Sequence, residues 1–497
     1  MKQGEWIGIA VGNEYARVAV YENGQTRLVP LEEGDLSMPS AVLLHRMREV
    51  GKYAYLYSGT DSNLYVSSIG RLLGKRYVEV KDLPLPVEIV DDNGRIRLVG
   101  AGNQTYSPVE LYAMVLQRLK YFAERYLGHE VEHAVLTVAG STNDFQRRSV
   151  RLAAAAVFKK SKLINEPAAA ALPLMVTFER PPKRILTFDM GAGKCEAAVL
   201  ELSRQGQLYV KAIVGDTDLG GNDIDLLIYQ YLSKNFARRH NGVALANSSQ
   251  MARHEVMMAV KEAKHRLEQE QKVELTVPFV SFAEDGKPLH LVAILSQRIL
   301  QKLISPLVAR AQKLVERCLS EGGSVDEVIL LGGCCRMQVF KDLLYKVTGK
   351  NPINIDRPEE LAVRGAAIYA GKLNGASVAS NIKVEDVTAH SLGITLYDGS
   401  MGFVLKRQTI VPATTTKTFE TTSSNLAYVV IEVREGENIK ASDNRLLGEF
   451  RLPLPPNLPA RSPIKVTIGK DEDGIVVVRA TDPSSGNQQE ITITYDL

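Results

Sequence analysis

Four cysteines in 497 residues, Cys195, Cys318, Cys334 and Cys335, are too few and too irregularly spaced for a disulfide framework or a zinc site. A reducing cytoplasmic setting is the expectation. The adjacent pair Cys334-Cys335 reads as two small buried residues rather than a redox couple. Eight histidines are scattered, with no pair at metal-ligand spacing. No apolar run approaches the length of a membrane span. Glu5 stands at the head of the first strand pattern, which argues against a secretory leader. A net charge of +3 is too small to imply a nucleic acid or an anionic membrane as partner. With 45% hydrophobic and 24% charged residues, what remains is an ordinary folded chain, long enough for two to four domains.

Within it, one pattern occurs twice. Ile7-Gly8-Ile9-Ala10-Val11-Gly12-Asn13-Glu14 runs on into Arg17-Val18-Ala19-Val20. Leu186-Thr187-Phe188-Asp189-Met190-Gly191-Ala192-Gly193-Lys194-Cys195-Glu196 runs on into Ala197-Ala198-Val199-Leu200. Each reads as strand, glycine turn and strand, a hairpin whose bare amides suit phosphate oxygens. An acid at the end of the first strand can hold hydrated magnesium against those phosphates. Asp189 fits that position, whereas Ala10 in the other copy can hold nothing. Gly215–Asp223 forms a third glycine turn, placed to present amides at a helix N-terminus through Gly220 and Gly221. A fourth runs through Gly332 and Gly333 to Arg336, whose guanidinium could lie against a purine or simply pair at the surface.

Residues 1 to about 375 alternate strands with helices, among them Ser107–Leu127, Gln146–Phe158, Ala252–Gln271 and Ser296–Ser320. Gly375–Ser380 and the residues up to Glu385 read as a linker. From Asp386 onward short alternating strands recur between turns, the pattern of an all-β sandwich.

Four glycine turns in this order, with the further segments Thr142–Arg147, Leu163–Ala171, Asp386–Ile394 and Asp443–Phe450, resemble the heat shock protein 70 (DnaK-like) chaperones of the actin-like ATPase superfamily. The resemblance implies a two-lobed actin-like α/β nucleotide-binding domain over 1–379 (lobes 1–180 and 181–379). A linker at 380–386 and a β-sandwich peptide-binding domain over 387–497 follow, with no helical lid. It implies ATP or ADP with Mg2+ as cofactors, the metal held through water by Asp189. Glu166, Asp189 and Glu196 match catalytic positions, and Lys194 stands where the family has a threonine. Gly12, Asn13, Gly191, Ala192, Gly193, Gly220, Gly221, Lys264, Gly332, Gly333, Arg336 and Asp356 match nucleotide-contacting positions. Leu392, Ile394, Tyr397, Phe419, Val429 and Ile431 match the peptide groove, although sandwich core explains the apolar ones equally well. Partners implied are unfolded or extended polypeptides and, by analogy, a J-domain co-chaperone near Lys162 and a nucleotide exchange factor, with no nucleic acid and no membrane.

The departures fall on the phosphate end. The first-hairpin acid is Ala10, its paired threonines are Asn13 and Glu14, the lysine expected before Arg71 is Gly70, and the hinge proline is Ala139. Phosphoryl transfer rests on positioning and charge, so three lost contacts at roughly 2–4 kcal/mol each predict hydrolysis slowed by orders of magnitude. Lys194 is expected to supply the missing cation, to pair with Glu14 across the cleft, or, like Glu14, simply to point to solvent. Lys383 and Glu385 interrupt the apolar linker and are expected to weaken its docking. The leading expectation is a chaperone with weak or lost hydrolysis. The alternative is a nucleotide-independent pseudo-ATPase acting as a binding scaffold, and a filament or sugar-kinase relative comes third.

Overall fold

The computed structural model describes residues 5–83, 85–177, 183–203, 207–245, 248–376, 382–485 and 488–491. The expected lobe boundary at 180/181, the start of the linker and the terminal residues Tyr495–Leu497 lie outside them.

The two repeated hairpins sit at the centres of two six-stranded sheets with matching order. In the first, Trp6–Val11 lies parallel to His133–Val138 and antiparallel to Tyr15–Glu22, which pairs onward with Gln25–Leu28. In the second, Lys183–Met190 lies parallel to Glu327–Leu331 and antiparallel to Cys195–Leu202, which pairs onward with Gln207–Asp216. The turns also match. The Gly12 amide donates to the Tyr15 carbonyl at 3.0 Å, and the Gly191 amide to the Lys194 carbonyl at 3.0 Å. In register, Ala10 faces Arg17 and Asp189 faces Glu196.

Between the sheets run two helices, Glu166–Thr177 and Leu361–Leu373. The alanine run Ala168–Ala171 is wholly buried between them and contributes small side chains that let the backbones approach. The approach is close enough to require glycine. A Cβ on Gly365 would stand 1.7 Å from the Ala169 carbonyl oxygen, and one on Gly8 2.3 Å from the Ala367 nitrogen. The helix Pro108–Leu127 starts as its sequence dictates: Ser107 accepts from the Glu110 amide, Glu110 accepts from the Ser107 amide, and proline takes the first turn.

The C-terminal part is two four-stranded antiparallel sheets. One runs Met401–Leu405, Leu392–Thr395, Tyr428–Glu435, Arg445–Pro453, and the other Ala413–Glu420, Pro463–Lys470, Val476–Thr481, Gln488–Ile491. Their inner faces share one core of Leu, Ile, Val and Phe side chains. This module is seated on the α/β part. Phe145, at the start of the helix Asp144–Ala155, enters the sandwich core, and the Arg445 guanidinium stacks 4.6 Å from its ring centre.

The connection is a strand. Lys383–Val387 adds to the edge of the second sheet, pairing Gln207 with Lys383 and Tyr209 with Glu385 in parallel register. The two charges expected to weaken docking have period-2 spacing, so both leave by the same face. There they pair with each other at 2.6 Å, while Ile382, of the opposite parity, is buried. The charges are thereby accommodated without interrupting the strand.

Candidate functional site: the cleft between the two hairpins

The hairpin turns face one another across a cleft of about 340 Å³, within the usual range for small-molecule sites. Its walls come from both hairpins, the start of the helix Glu166–Thr177, and the turn Gly332–Arg336. Close approach again needs glycine: a Cβ on Gly193 would meet the Asn13 side-chain nitrogen at 2.5 Å. Gly332 has φ near +78°, and a Cβ there would stand 2.4 Å from Asp189 Oδ1.

Of the sixteen residues expected at the catalytic and nucleotide site, Gly12, Asn13, Glu166, Asp189, Gly191, Ala192, Gly193, Lys194, Lys264, Gly332, Gly333 and Arg336 line this cleft. Four do not. Glu196 lies behind it, wholly buried, accepting from the Ser141 amide at 2.6 Å and the Gly140 amide at 3.1 Å. Gly220 and Gly221 pack against the second hairpin. There the amides of Gly221 and Asn222 donate to the carbonyls of Gly191 and Ala192 at 2.9 and 2.7 Å. This helix start, expected to offer amides to an anion, holds the hairpin turn instead. Asp356 is exposed and outside the cleft lining.

Electrostatically the cleft is dominated by Lys194. Its ammonium bridges the carboxylates of Glu166 and Asp189, lying 2.9 Å from Asp189 Oδ2. Burial works against its charge, but Asp189, Glu166 and Glu196 outweigh burial and hold Lys194 well above the ordinary lysine range. Burial pushes Glu166 the other way, above the usual carboxylate range, with Asp189 adding to the effect and Lys194 opposing it. Removing one member of such a buried group leaves uncompensated charge and costs about 3–5 kcal/mol. Lys194 is therefore fixed in place. The pairing with Glu14 does not form, because Glu14 is held by Lys261 at 2.7 Å. Burial would raise the Glu14 carboxyl, but Lys261 overcomes it and lowers the pKa.

At the opposite end, Lys264 is buried and committed to Asp225 at 2.9 Å and to the Gly221 carbonyl at 3.3 Å. Arg336 pairs with Glu359 at 2.8 Å. Further bridges cross the cleft: Arg71 to Asp223 at 3.4 Å, Lys75 to Asp218 at 2.9 Å, and Ser58 Oγ to His254 Nε2 at 3.0 Å. Sequence reading overlooked these, together with Arg17, which lines the cleft opposite Ala10. A signal for Arg17 existed: it follows Ala10 by the same seven residues that separate Glu196 from Asp189.

A divalent cation needs oxygen ligands with free lone pairs. Ala10 has none, and the side chains of Asp189 and Glu166 face an ammonium. Among the described residues no three His, Cys, Asp or Glu side chains converge as a metal-ligand set. The donor set does not fit a resident magnesium ion.

From the cleft a hydrogen-bonded path leads to the sandwich. Beyond Glu196 and the Gly140–Ser141 turn, Arg147 donates to the carbonyls of Gly140 and Asp473 at 3.4 and 3.2 Å and to the Asn165 side chain. Asn165 donates to Asp386. Beside it, the Val476 amide donates to Asp144 at 2.7 Å, the Asp144 amide donates to Glu435 at 3.0 Å, and Glu435 is paired with Lys470 at 3.2 Å. Lys162, matched by sequence to a co-chaperone contact, pairs here with Glu472 at 2.6 Å.

In the sandwich, Leu392, Ile394 and Ile431 belong to the buried core. Phe419 and Val429 are partly buried at its margin, and Tyr397 is 90% exposed.

Two comparisons bear on this architecture. The family model for Hsp70 proteins matches residues 6–496. A chaperone protein dnaK of Cyanidioschyzon merolae is 34% identical over an alignment covering 98% of this chain and 81% of that protein. The matched span takes in both hairpins, the cleft and the sandwich, and the chain belongs to the heat shock protein 70 family of chaperones.

Proposed function

We propose that this chain is a chaperone that holds extended apolar polypeptide on its β-sandwich, while a nucleotide in the cleft is bound but hydrolysed weakly or not at all. In this reading residues 1–379 form an actin-like nucleotide domain of two lobes, 1–180 and 181–379, joined by the linker 380–386 to a peptide-binding sandwich, 387–497. Members of this family generally bind ATP or ADP with Mg2+, unfolded clients and co-chaperones. The matching sheets and the glycine turns around a cleft of ligand size support nucleotide binding. The partly buried Phe419 and Val429 and the exposed Tyr397 support a peptide site at the sandwich margin.

One observation carries the loss of hydrolysis: Lys194 bridges Glu166 and Asp189, the two acids expected to act around magnesium and the attacking water. With Ala10 and Gly70 beside them, the acid expected in the first hairpin and the lysine expected at the γ-phosphate are missing. Scaffolding without nucleotide is the second reading, favoured by the commitment of Lys264 to Asp225. Calorimetric titration with ATP, alongside anisotropy of a labelled apolar heptapeptide, separates them. Binding of both ligands supports the first reading; peptide binding alone supports the second.

A further inference from the structure

The charges lining the cleft can be paired off completely, with one exception. Glu14 is held by Lys261, Glu166 and Asp189 by Lys194, and Glu359 by Arg336. Among the cations, Arg71 and Lys75 reach Asp218, Lys264 reaches Asp225, and His265 lies 3.5 Å from Glu268. Among the described residues, Arg17 alone of the cleft-lining cations has no ion pair or hydrogen bond. Glu359 and Glu360 face it at longer range, but Arg336 holds the first, and Arg357 and Arg364 hold the second at 3.2 and 2.6 Å. The Arg17 guanidinium is part-buried and opens on the cleft, where an anion can meet it without displacing a protein partner. Its planar donor fork matches phosphate oxygens.

Arg17 stands opposite Ala10 in the register where Asp189 faces Glu196. One hairpin has two acids at the head of the phosphate turn; the other has an apolar residue and a cation. The second hairpin's acids are in turn answered by Lys194 and by backbone amides. Where a divalent cation would lie between phosphate and carboxylate, this chain has built two fixed positive charges, one in each hairpin.

We propose that the cleft binds a nucleoside di- or triphosphate as the metal-free anion, with Arg17 receiving the phosphates and Lys194 replacing the divalent cation. The proposal rests on the reading that the cleft takes a nucleotide, and the two fail differently.

The test is calorimetric titration of the full chain with ADP, ATP and adenosine, in magnesium and in EDTA. Wild-type affinity for ADP is expected to change less than about threefold between the buffers, because no ligand site for the metal is free. Arg17→Ala is expected to weaken ADP by about tenfold or more in both, while leaving adenosine unchanged. Lys194→Thr frees Asp189 and is expected to make ADP binding tighter in magnesium than in EDTA, by about tenfold. Arg17→Lys, which keeps the charge, should retain more affinity than Arg17→Ala; equal losses would point to misfolding and overturn a phosphate role for Arg17. Loss of wild-type ADP binding in EDTA overturns the proposal and leaves the nucleotide reading standing. Adenosine binding as tightly as ADP also overturns it. No binding of any of the three ligands in either buffer overturns both.

Discussion

Lys194 Nζ lies 2.9 Å from Asp189 Oδ2, and the same ammonium meets Glu166. One substitution within a glycine turn has thus placed an immobile cation on both acids of the would-be reaction centre. The fold around them keeps its glycine turns and paired sheets. In the proposed reading, the chemistry is what has changed.

Restoring hydrolysis should therefore need two changes together. Ala10→Asp alone adds a carboxylate to a site already filled by Lys194, and Lys194→Thr alone leaves one acid missing. The double variant is expected to exceed either single variant in ATP turnover by about tenfold or more, as one recovered transition-state contact would give. Phosphate release in magnesium measures it.

The seating of the sandwich depends on Arg147, which ties Gly140, Asn165 and Asp473 together. Arg147→Ala would leave buried acceptors unpaired and should cost about 2–4 kcal/mol of interdomain stability. Separate melting of the two parts, or faster cleavage near residue 382 in limited proteolysis, reports it. A single unchanged melt would count against this contact.

Acidity should act on the same interface through Asp386. Burial raises its pKa, although Arg147 and the hydrogen bonds from Val387 and Asn165 oppose it. A carboxyl raised in the folded state contributes stability that is fully present below the unfolded value of about 3.8 and lost as pH rises through the folded value. Wild type should thus gain stability relative to Asp386→Asn as pH falls from 7 toward 4. Parallel pH profiles of the melting temperature test the sign.

Gly365 marks the tightest backbone approach between the two central helices. Gly365→Ala would drive a methyl into the Ala169 carbonyl and is expected to destabilise by about 3 kcal/mol or to prevent folding. A soluble variant with an unchanged melting temperature would contradict the packing described.

Tyr397 is exposed on the sandwich and, in the proposed reading, contacts the bound peptide. Tyr397→Ala should leave stability within about 0.5 kcal/mol while weakening peptide binding. Ile431→Ala, in the core, should destabilise by about 2–4 kcal/mol. Heptapeptide anisotropy and thermal melts on the two variants separate groove from core.

How much of this was readable in advance depended on the distance over which each feature is determined. The hairpins, the capped helix at Ser107 and the change of texture at Asp386 are local, written in turn residues and periodicity. The loss at Ala10 followed from comparing two copies within one chain. Partner choice was not local. Glu14 finds Lys261 on a helix 247 residues away, and Lys194 meets Asp189 of its own hairpin and Glu166 rather than Glu14. The amides of Gly221 and Asn222 looked free because a helix start in sequence does not reveal that another turn has docked on it. Arg17 sits in a strand outside the glycine turn, and only its seven-residue offset from Ala10 marks it.

Phosphate release from ATP in magnesium, compared between the wild-type chain and Asp189→Asn, tests the central claim most directly. With Lys194 already on Asp189, the two proteins should release phosphate at the same slow or undetectable rate. Wild-type turnover exceeding that of Asp189→Asn by about tenfold or more would show that Asp189 still works on the nucleotide, and would contradict the account.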